Sequence, residues 1–577
     1  MSARRRTGKL PPDTSMPSPP EAVHRELSQP ADAPNPPAQA SNLLSSSLVM
    51  AVGTSLSRLT GFFRAGLLAA AIGVAEHADV FQIANTIPNS LYILVAGGVF
   101  NTVLVPQLVR AVKSDPDGGD AYASRIVTLG ALVLGGVTAV LVLLAPQLMR
   151  LMVDDAIWAD PATRESLVDF ARWCLPQIFF YGTFVLIGQI LNARGRFGPM
   201  MWAPIANNVV SIAIIVTYLF MYADEPATGG YTATQELLLG LGSTVGIAVQ
   251  LAILVPYLRA SGFSYRPRFD FRGTGLGHTL RLGSWTVGMV VVNQLAFYVM
   301  VHLASAGAAA DSGFTVYANA FLLTQVPHSI VTVSLATAAV PLMSRLAADS
   351  LYRDVAAEMT QTMRLALAVI VPFAALLCVL SGPTAVLLFG YGAAQGDTGP
   401  LGQTMIAFAP GMIMFSIHYL ALRGFYALED TRTTFFIQCL ISVVNMGSAI
   451  VLTSLVAAPY TAPVLAAAYG TSYLVGGVVS SSVLARRLGG LAQRELATYV
   501  ARLALAAGLA TAIAWLCTRG LELLDIKGSS GDKADVLVVL AVSGLLGVGS
   551  YLLLARLLRI SETASIVRLV AARSRRG

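Results

Sequence analysis

The chain has 577 residues, of which 55% are hydrophobic and only 12% charged, with a formal net charge of +7. Soluble domains carry about a quarter charged residues, so a soluble or disordered chain is excluded over most of the length. The positive balance does not indicate nucleic acid, because the basic residues lie in short loops between apolar runs rather than on one soluble face.

Residues 1–41 read as a disordered cytoplasmic tail. Nine prolines and the run Arg4–Arg6 precede any large apolar stretch, a composition that cannot bury a core. No apolar segment follows the arginines closely, so the tail is not a signal peptide. A Pro-rich arm of this kind is either a solvated tail or a docking segment for partner proteins.

From residue 42 the chain is an alternation of apolar runs and polar breaks. Runs such as 129–149 and 536–558 reach the roughly 20 residues that cross a bilayer. Fourteen membrane helices are expected, at about 42–73, 79–109, 124–149, 166–193, 200–222, 235–258, 279–305, 313–343, 361–389, 401–427, 433–457, 462–485, 499–520 and 534–558. Arginine and lysine concentrate in alternate loops: Arg110, Lys113 and Arg125; Arg194 and Arg196; Arg259, Arg266, Arg268, Arg272 and Arg281; Arg345 and Arg353; Arg432; and Arg486, Arg487 and Arg494. By the positive-inside rule both termini are then cytoplasmic. Arg150 and Arg164 fall in an outside loop but are outnumbered there by Asp154, Asp155, Asp160 and Glu165, and Lys527 and Lys533 in a later outside loop are a second exception.

The two halves repeat. IPNSLYILVAGGVFNTVLVPQLVRA (87–111) matches VPHSIVTVSLATAAVPLMSRLAA (326–348) at a leading proline, a Val-Pro step and a closing arginine. LNARGRF (191–197) matches FYALEDTR (425–432). The expected fold is therefore all-α: an N-lobe of six helices (42–258), a pseudo-symmetric C-lobe of six (259–490), two further helices (491–560) and a basic tail (561–577). Repeats with an even number of spans are parallel, about an axis normal to the membrane, as in alternating-access carriers.

Between Asn42 and Ala75 the only charges are Arg58 and Arg64, within SRLTGFFR (57–64). An intramembrane arginine faces a polar cavity or a partner, and guanidinium suits phosphate or carboxylate. The alternative is that both arginines snorkel to a headgroup region. Gly61 offers a bend that would turn both towards one cavity. Asp79, Asn85 and Asn89 on span two, Asn293 and Gln294 on span seven, and Asn319, Gln325 and His328 on span eight could line the same space. Each could equally be an interhelical hydrogen-bond contact, and Asp79 either a counter-ion or an outer-end residue.

No catalytic constellation, metal-ligand cluster, cofactor motif or nucleotide-binding loop is present, and Cys174, Cys378, Cys439 and Cys517 are scattered singly. An enzyme is not expected, and any transport would draw on a gradient or potential rather than on ATP.

SRLTGFFR together with ADVFQIANTIPNSLYILVAGGVF (78–100), GQILNARGRFGPMMWAPIANNVV (188–210) and RGFYALEDTRTTFF (423–436) resembles the MurJ/MviN family of lipid II flippases, with an actinobacterial flavour. The resemblance covers about 42–560. It implies the fourteen-helix fold of the multidrug/oligosaccharidyl-lipid/polysaccharide exporter superfamily, two rocking lobes around a cationic cavity, and a groove for a lipid tail on spans thirteen and fourteen. It also implies an anionic lipid-linked substrate, the undecaprenyl-linked peptidoglycan precursor, and a bacterial plasma membrane. The family's cavity arginines fall on Arg58 and Arg64, and its span-two acid on Asp79. The chain departs from the pattern at Tyr92 and Ile93, where relatives carry an arginine pair or a glutamate, and at Gly97, where they carry glutamate. An arginine typical of span eight is missing from YANAFLLTQVPHS, and the span-seven acid of some members' sodium site has no counterpart. Export of another polyprenyl-linked glycan or a small molecule, and a non-transporting scaffold for cell-wall synthesis, remain open beside the flippase reading.

Overall fold

The computed structural model describes residues 36–93, 107–108, 110–111, 115–222, 230–271, 276–396, 398–490, 493–528 and 532–564. These residues are helical apart from their connections. Twelve helices are long and apolar enough to cross a membrane: α3 (Asp120–Leu143), α4 (Pro161–Ala193), α5 (Gly198–Tyr222), α6 (Ala233–Ala260), α7 (Leu276–Ser305, of which Ser284–Ser305 is the apolar part), α8 (its His328–Ala348 portion, preceded by Phe314–Thr324), α9 (Tyr352–Phe389), α10 (Gly399–Ala427), α11 (Thr431–Leu455), α12 (Thr461–Leu488), α13 (Gln493–Leu523) and α14 (Lys533–Leu557). Two more precede them, α1 (Pro36–Ile72) and α2 (Glu76–Ile93). The protein is thus an all-α, multi-pass membrane protein. Most of the Pro-rich tail (1–35), the Tyr92 and Ile93 side chains, Gly97, and the basic tail from 565 lie outside what the structure describes.

Large apolar side chains such as Phe220, Leu143, Leu545 and Leu557 point outward, whereas the interior is rich in alanine and small polar residues. Lipid is as apolar as leucine, so close approach of small residues, not water exclusion, drives this packing. A backbone-to-backbone example joins α10 to α12: a Cβ on Gly411 would lie 2.7 Å from the Gly470 Cα.

The helix pairings repeat. In the first six helices α1 packs on α5, α5 on α6, α6 on α4, and α4 on both α3 and α2. In the next six α7 packs on α11, α11 on α12, α12 on α10, and α10 on both α9 and α8. Helices α13 and α14 pack on each other and on α9, where Leu503, Ala506 and Ala510 meet Leu367, Tyr551 and Ala555. The Tyr551 hydroxyl donates to the Ala368 carbonyl at 2.7 Å and that of Tyr499 to Arg364 at 2.7 Å.

Several boundaries differ from the sequence reading, for local reasons. Helix α1 is already helical at Pro36, the first described residue, six residues before residue 42. It is helical throughout its 37 described residues, so the chain is not unwound at Gly61. Helix α4 is divided at Pro176. Helix α8 is interrupted after Thr324, and Pro327, which has no N–H to donate, leads into a wide turn at His328–Thr332 before the helix resumes.

The two sets of helices meet where α1 ends and α2 begins, here called the Ile72 end. The Asp79 carboxylate, fully buried, accepts from the backbone N–H of Phe314 at 2.8 Å and of Thr315 at 2.6 Å. It caps α8 from another helix, where the partial positive charge of the helix start favours an anion. The approach requires Gly313, because a Cβ there would lie 1.9 Å from Asp79 Oδ2. Nearby, the end of α1 lies against the chain after α9. Gly392 has φ +54 and a Cβ there would stand 2.2 Å from the Ala70 carbonyl. The backbone N–H of Asp154 donates to Ser305 Oγ at 2.7 Å, and Gln294 Nε2 to the Ser90 carbonyl at 3.0 Å. Together these contacts join the two sets.

Candidate functional site

A cavity of about 900 Å³ lies between α1, α2, α5, α6 and α8. Both Arg58 and Arg64 line it, and among the described residues they are its only charged lining residues. Six residues along a helix place two side chains about 120° apart. The continuous α1 presents both, because the cavity wraps a broad face of it, from Ser55 through Leu59 and Phe62 to Leu68. Arg58 is exposed to the cavity and Arg64 half-buried. Neither forms an ion pair with a carboxylate among the described residues. Two unneutralised guanidinia in a half-enclosed apolar space form a strong attractor for an anion, since few water dipoles are available to screen them.

The helix carrying them is held from behind. Asn208 Nδ2 on α5 donates to the Ser57 carbonyl and to Thr60 Oγ1, both at 2.9 Å. The Thr60 hydroxyl in turn donates to the Leu56 or Ser57 carbonyl at 3.0 Å. Asn208 sits in the PIANNVV stretch, and nothing in its local pattern separates a clamp from an ordinary polar residue.

Of the other sequence candidates, Asn85, Asn319 and Gln325 line this cavity with the arginines. Asn85 Oδ1 accepts from Gln177 Nε2 at 2.9 Å, which fixes its amide and leaves its N–H₂ to the cavity. Asp79 does not line it; its two oxygens are committed to the start of α8. Asn89, Asn293 and Gln294 line a second cavity of about 490 Å³. His328 packs against Phe415 and Tyr419, with Nδ1 2.9 Å from Ser416 Oγ. The sequence thus grouped residues that the fold divides among a cationic cavity, a neutral cavity, a buried cap and a packed ring. No group of three His, Cys, Asp or Glu able to hold a metal occurs among the described residues.

These features define a multi-pass membrane protein with two repeated six-helix sets and an internal cationic cavity, the architecture of a carrier. Comparisons with known proteins agree. Residues 68–524 match the family model described as lipid II flippase MurJ, and the chain belongs to that family. Similar relatives include probable lipid II flippases MurJ of Vibrio cholerae, 27% identical with 90% of this chain and 96% of the relative covered, and of Rhizobium meliloti, 28% identical with 69% and 72% covered. A solved structure described as lipid II flippase MurJ in an inward closed conformation superposes with a TM-score of 0.68 at 18% identity, covering 88% of this chain and 98% of the other. An inward-facing multidrug resistance MATE family transporter of the MOP superfamily gives 0.61 at 14% identity, covering 76% and 96%. At such identities the two structures attest to the shared fold alone.

Proposed function

We propose that the protein is a lipid II flippase of a bacterial plasma membrane, moving the polyprenyl-diphosphate-linked peptidoglycan precursor from the inner to the outer leaflet by alternating access. The observation that carries the reading is the pair Arg58 and Arg64, with no acidic residue in the lining of their cavity among the described residues. Guanidinium binds the non-bridging oxygens of a diphosphate through paired N–H donors. A carrier of cationic drugs would need the opposite charge in that lining.

In this reading residues 42–258 and 259–490 are the rocking lobes, both termini are cytoplasmic, and the Ile72 end faces outward. The Asp79 cap on α8 and the backbone contacts of Gly392 then close the outer side while the cavity loads from the inside. Opening outward breaks the cap and releases the headgroup. Asn85 and Asn319 orient the headgroup beside the arginines. The apolar outer faces of α13 and α14 supply the groove for the lipid tail, which remains in the hydrocarbon.

Transport of another polyprenyl-linked glycan is the second reading. It is favoured by Ile93 and Gly97 and by the uncharged stretch YANAFLLTQVPHS, positions where the family resemblance implies charge. Depletion of a host's own lipid II flippase tests both. Growth rescued by the wild-type chain but not by an Arg58→Ala/Arg64→Ala double variant at equal membrane level supports lipid II. No rescue by the correctly inserted wild type transfers the proposal to another lipid-linked glycan.

A further inference from the structure

The second cavity lies between α2, α7, α8, α11 and α12 and shares Ala318 and Phe321 with the arginine cavity. Among the described residues it has no charged lining residue. Five carboxamides line it instead: Asn89, Asn293, Gln294, Gln438 and Asn445. Gln438 Nε2 donates to Asn293 Oδ1 at 3.2 Å, leaving the Asn293 N–H₂ and the Gln438 carbonyl oxygen available. Asn445 Oδ1 is buried and has no hydrogen-bond partner among the described residues. The facing wall is aromatic. Tyr469 and Tyr473 have ring centroids 4.6 Å apart, Phe415 meets Tyr473 edge-on at 4.9 Å, and Phe321 meets Tyr469 edge-on at 5.5 Å.

This combination selects among ligand chemistries. An ion entering would lose its water and gain no opposite charge, so neither a phosphate nor a charged peptide belongs here. A polyprenyl chain would leave the carboxamides unsatisfied, a cost for every buried polar group. A pyranose ring meets both walls, since its hydroxyls both donate and accept towards carboxamides while its C–H face stacks on the electron-rich face of an aromatic ring. The volume falls in the usual range of small-molecule sites, about 300–1,000 Å³.

We infer that this cavity is a subsite for an uncharged sugar ring, adjoining the diphosphate subsite of the arginines. The inference rests on the proposed function for the diphosphate position. Helix α2 links the two subsites: Asn85 lines the first and Asn89 the second. They are one turn apart, about 6 Å along the axis, the length scale of a phosphate and the ring bonded to it. Gln325 bridges them as well, lining the arginine cavity while its Nε2 donates to the Tyr469 hydroxyl at 3.0 Å.

Binding of two probes to the purified full-length chain in detergent tests this: farnesyl diphosphate, and farnesyl diphosphate linked to N-acetylhexosamine. The wild type is expected to bind the sugar-bearing probe at least tenfold more tightly. Asn89→Ala and Asn445→Ala should each cost about two- to tenfold for that probe, as one neutral hydrogen bond is worth, and leave farnesyl diphosphate unchanged. Arg58→Ala/Arg64→Ala should weaken both probes. Equal affinity of the two probes for the wild type, or asparagine variants that leave the sugar-bearing probe unaffected, overturns the sugar subsite. The proposed function survives that result if the arginine variant still weakens both probes. If the wild type binds neither probe, both readings fall.

Discussion

Replacing Arg64 with alanine removes the less solvated of the two cavity cations. Arg64 is half-buried, lines the cavity with apolar neighbours such as Phe62, Ala65 and Leu68, and has no carboxylate partner among the described residues. Its fork is therefore unspent in the empty cavity, and its loss leaves no orphaned acid behind. Charge-assisted hydrogen bonds are worth about 1.5–3 kcal/mol, so affinity for a short-chain prenyl diphosphate should fall roughly 10- to 150-fold. Arg64→Lys keeps the charge but not the paired planar donors and should fall between alanine and wild type. Arg58→Ala should cost less, because Arg58 is exposed and its field is better screened. Calorimetric titration of the purified chain at two salt concentrations measures this, with the difference between variants shrinking at high salt. An Arg64→Ala protein that binds within twofold of wild type, while folded and monodisperse, refutes the reasoning.

Other predictions concern the closed end and the packing. Asp79→Asn and Gly313→Ala should each open the Ile72 end, the first by removing the charge and setting an N–H₂ against one of the two backbone N–H donors, a loss of about 1.5–3 kcal/mol, the second by driving a Cβ into the carboxylate. Spin labels on Ala156→Cys and Tyr460→Cys, both exposed near that end, should report a longer distance population in either variant, and an unchanged distribution would contradict the role given to the cap. Gly411→Val should force α10 from α12 and destabilise the protein by about 1–3 kcal/mol through overpacking, read as a lowered Tm in detergent. Deleting residues 1–30 should leave growth rescue intact in the depletion strain, whereas loss of rescue at normal membrane level would favour a docking role for the tail.

Much of the architecture was legible because hydrocarbon imposes a simple code. A run of about 20 apolar residues must be helical, since no water satisfies its backbone, and the landmarks around Pro88 and Pro327 disclosed the repeat. The arginines were legible for the same reason: a charge in an apolar run is costly and so carries information. What escaped was settled by distant partners. Asp79 belongs to the N–H groups of Phe314 and Thr315, 235 and 236 residues away in sequence, and no local pattern announces that. Asn85 and Asn89 look equivalent in ANTIPNS, yet one turn of helix assigns them to different cavities. No unwound point at Gly61 is needed, because the cavity is broad enough to receive both arginines from one continuous helix. Lys533, anomalous by loop charge, donates to the Val386 and Gly390 carbonyls at the end of α9, where a cation complements the last carbonyls of a helix.

The central claim is that the arginine cavity carries a lipid-linked diphosphate across the membrane. The most direct measurement reconstitutes the full chain in vesicles preloaded with a fluorescent short-chain lipid II and follows the rate at which inner-leaflet lipid becomes accessible to an externally added enzyme that modifies its headgroup. The account predicts that wild-type vesicles expose the lipid faster than empty vesicles, and that Arg58→Ala/Arg64→Ala vesicles with equal protein return to the empty-vesicle rate. A double variant that translocates as fast as wild type, or a wild type no faster than empty vesicles, would contradict it.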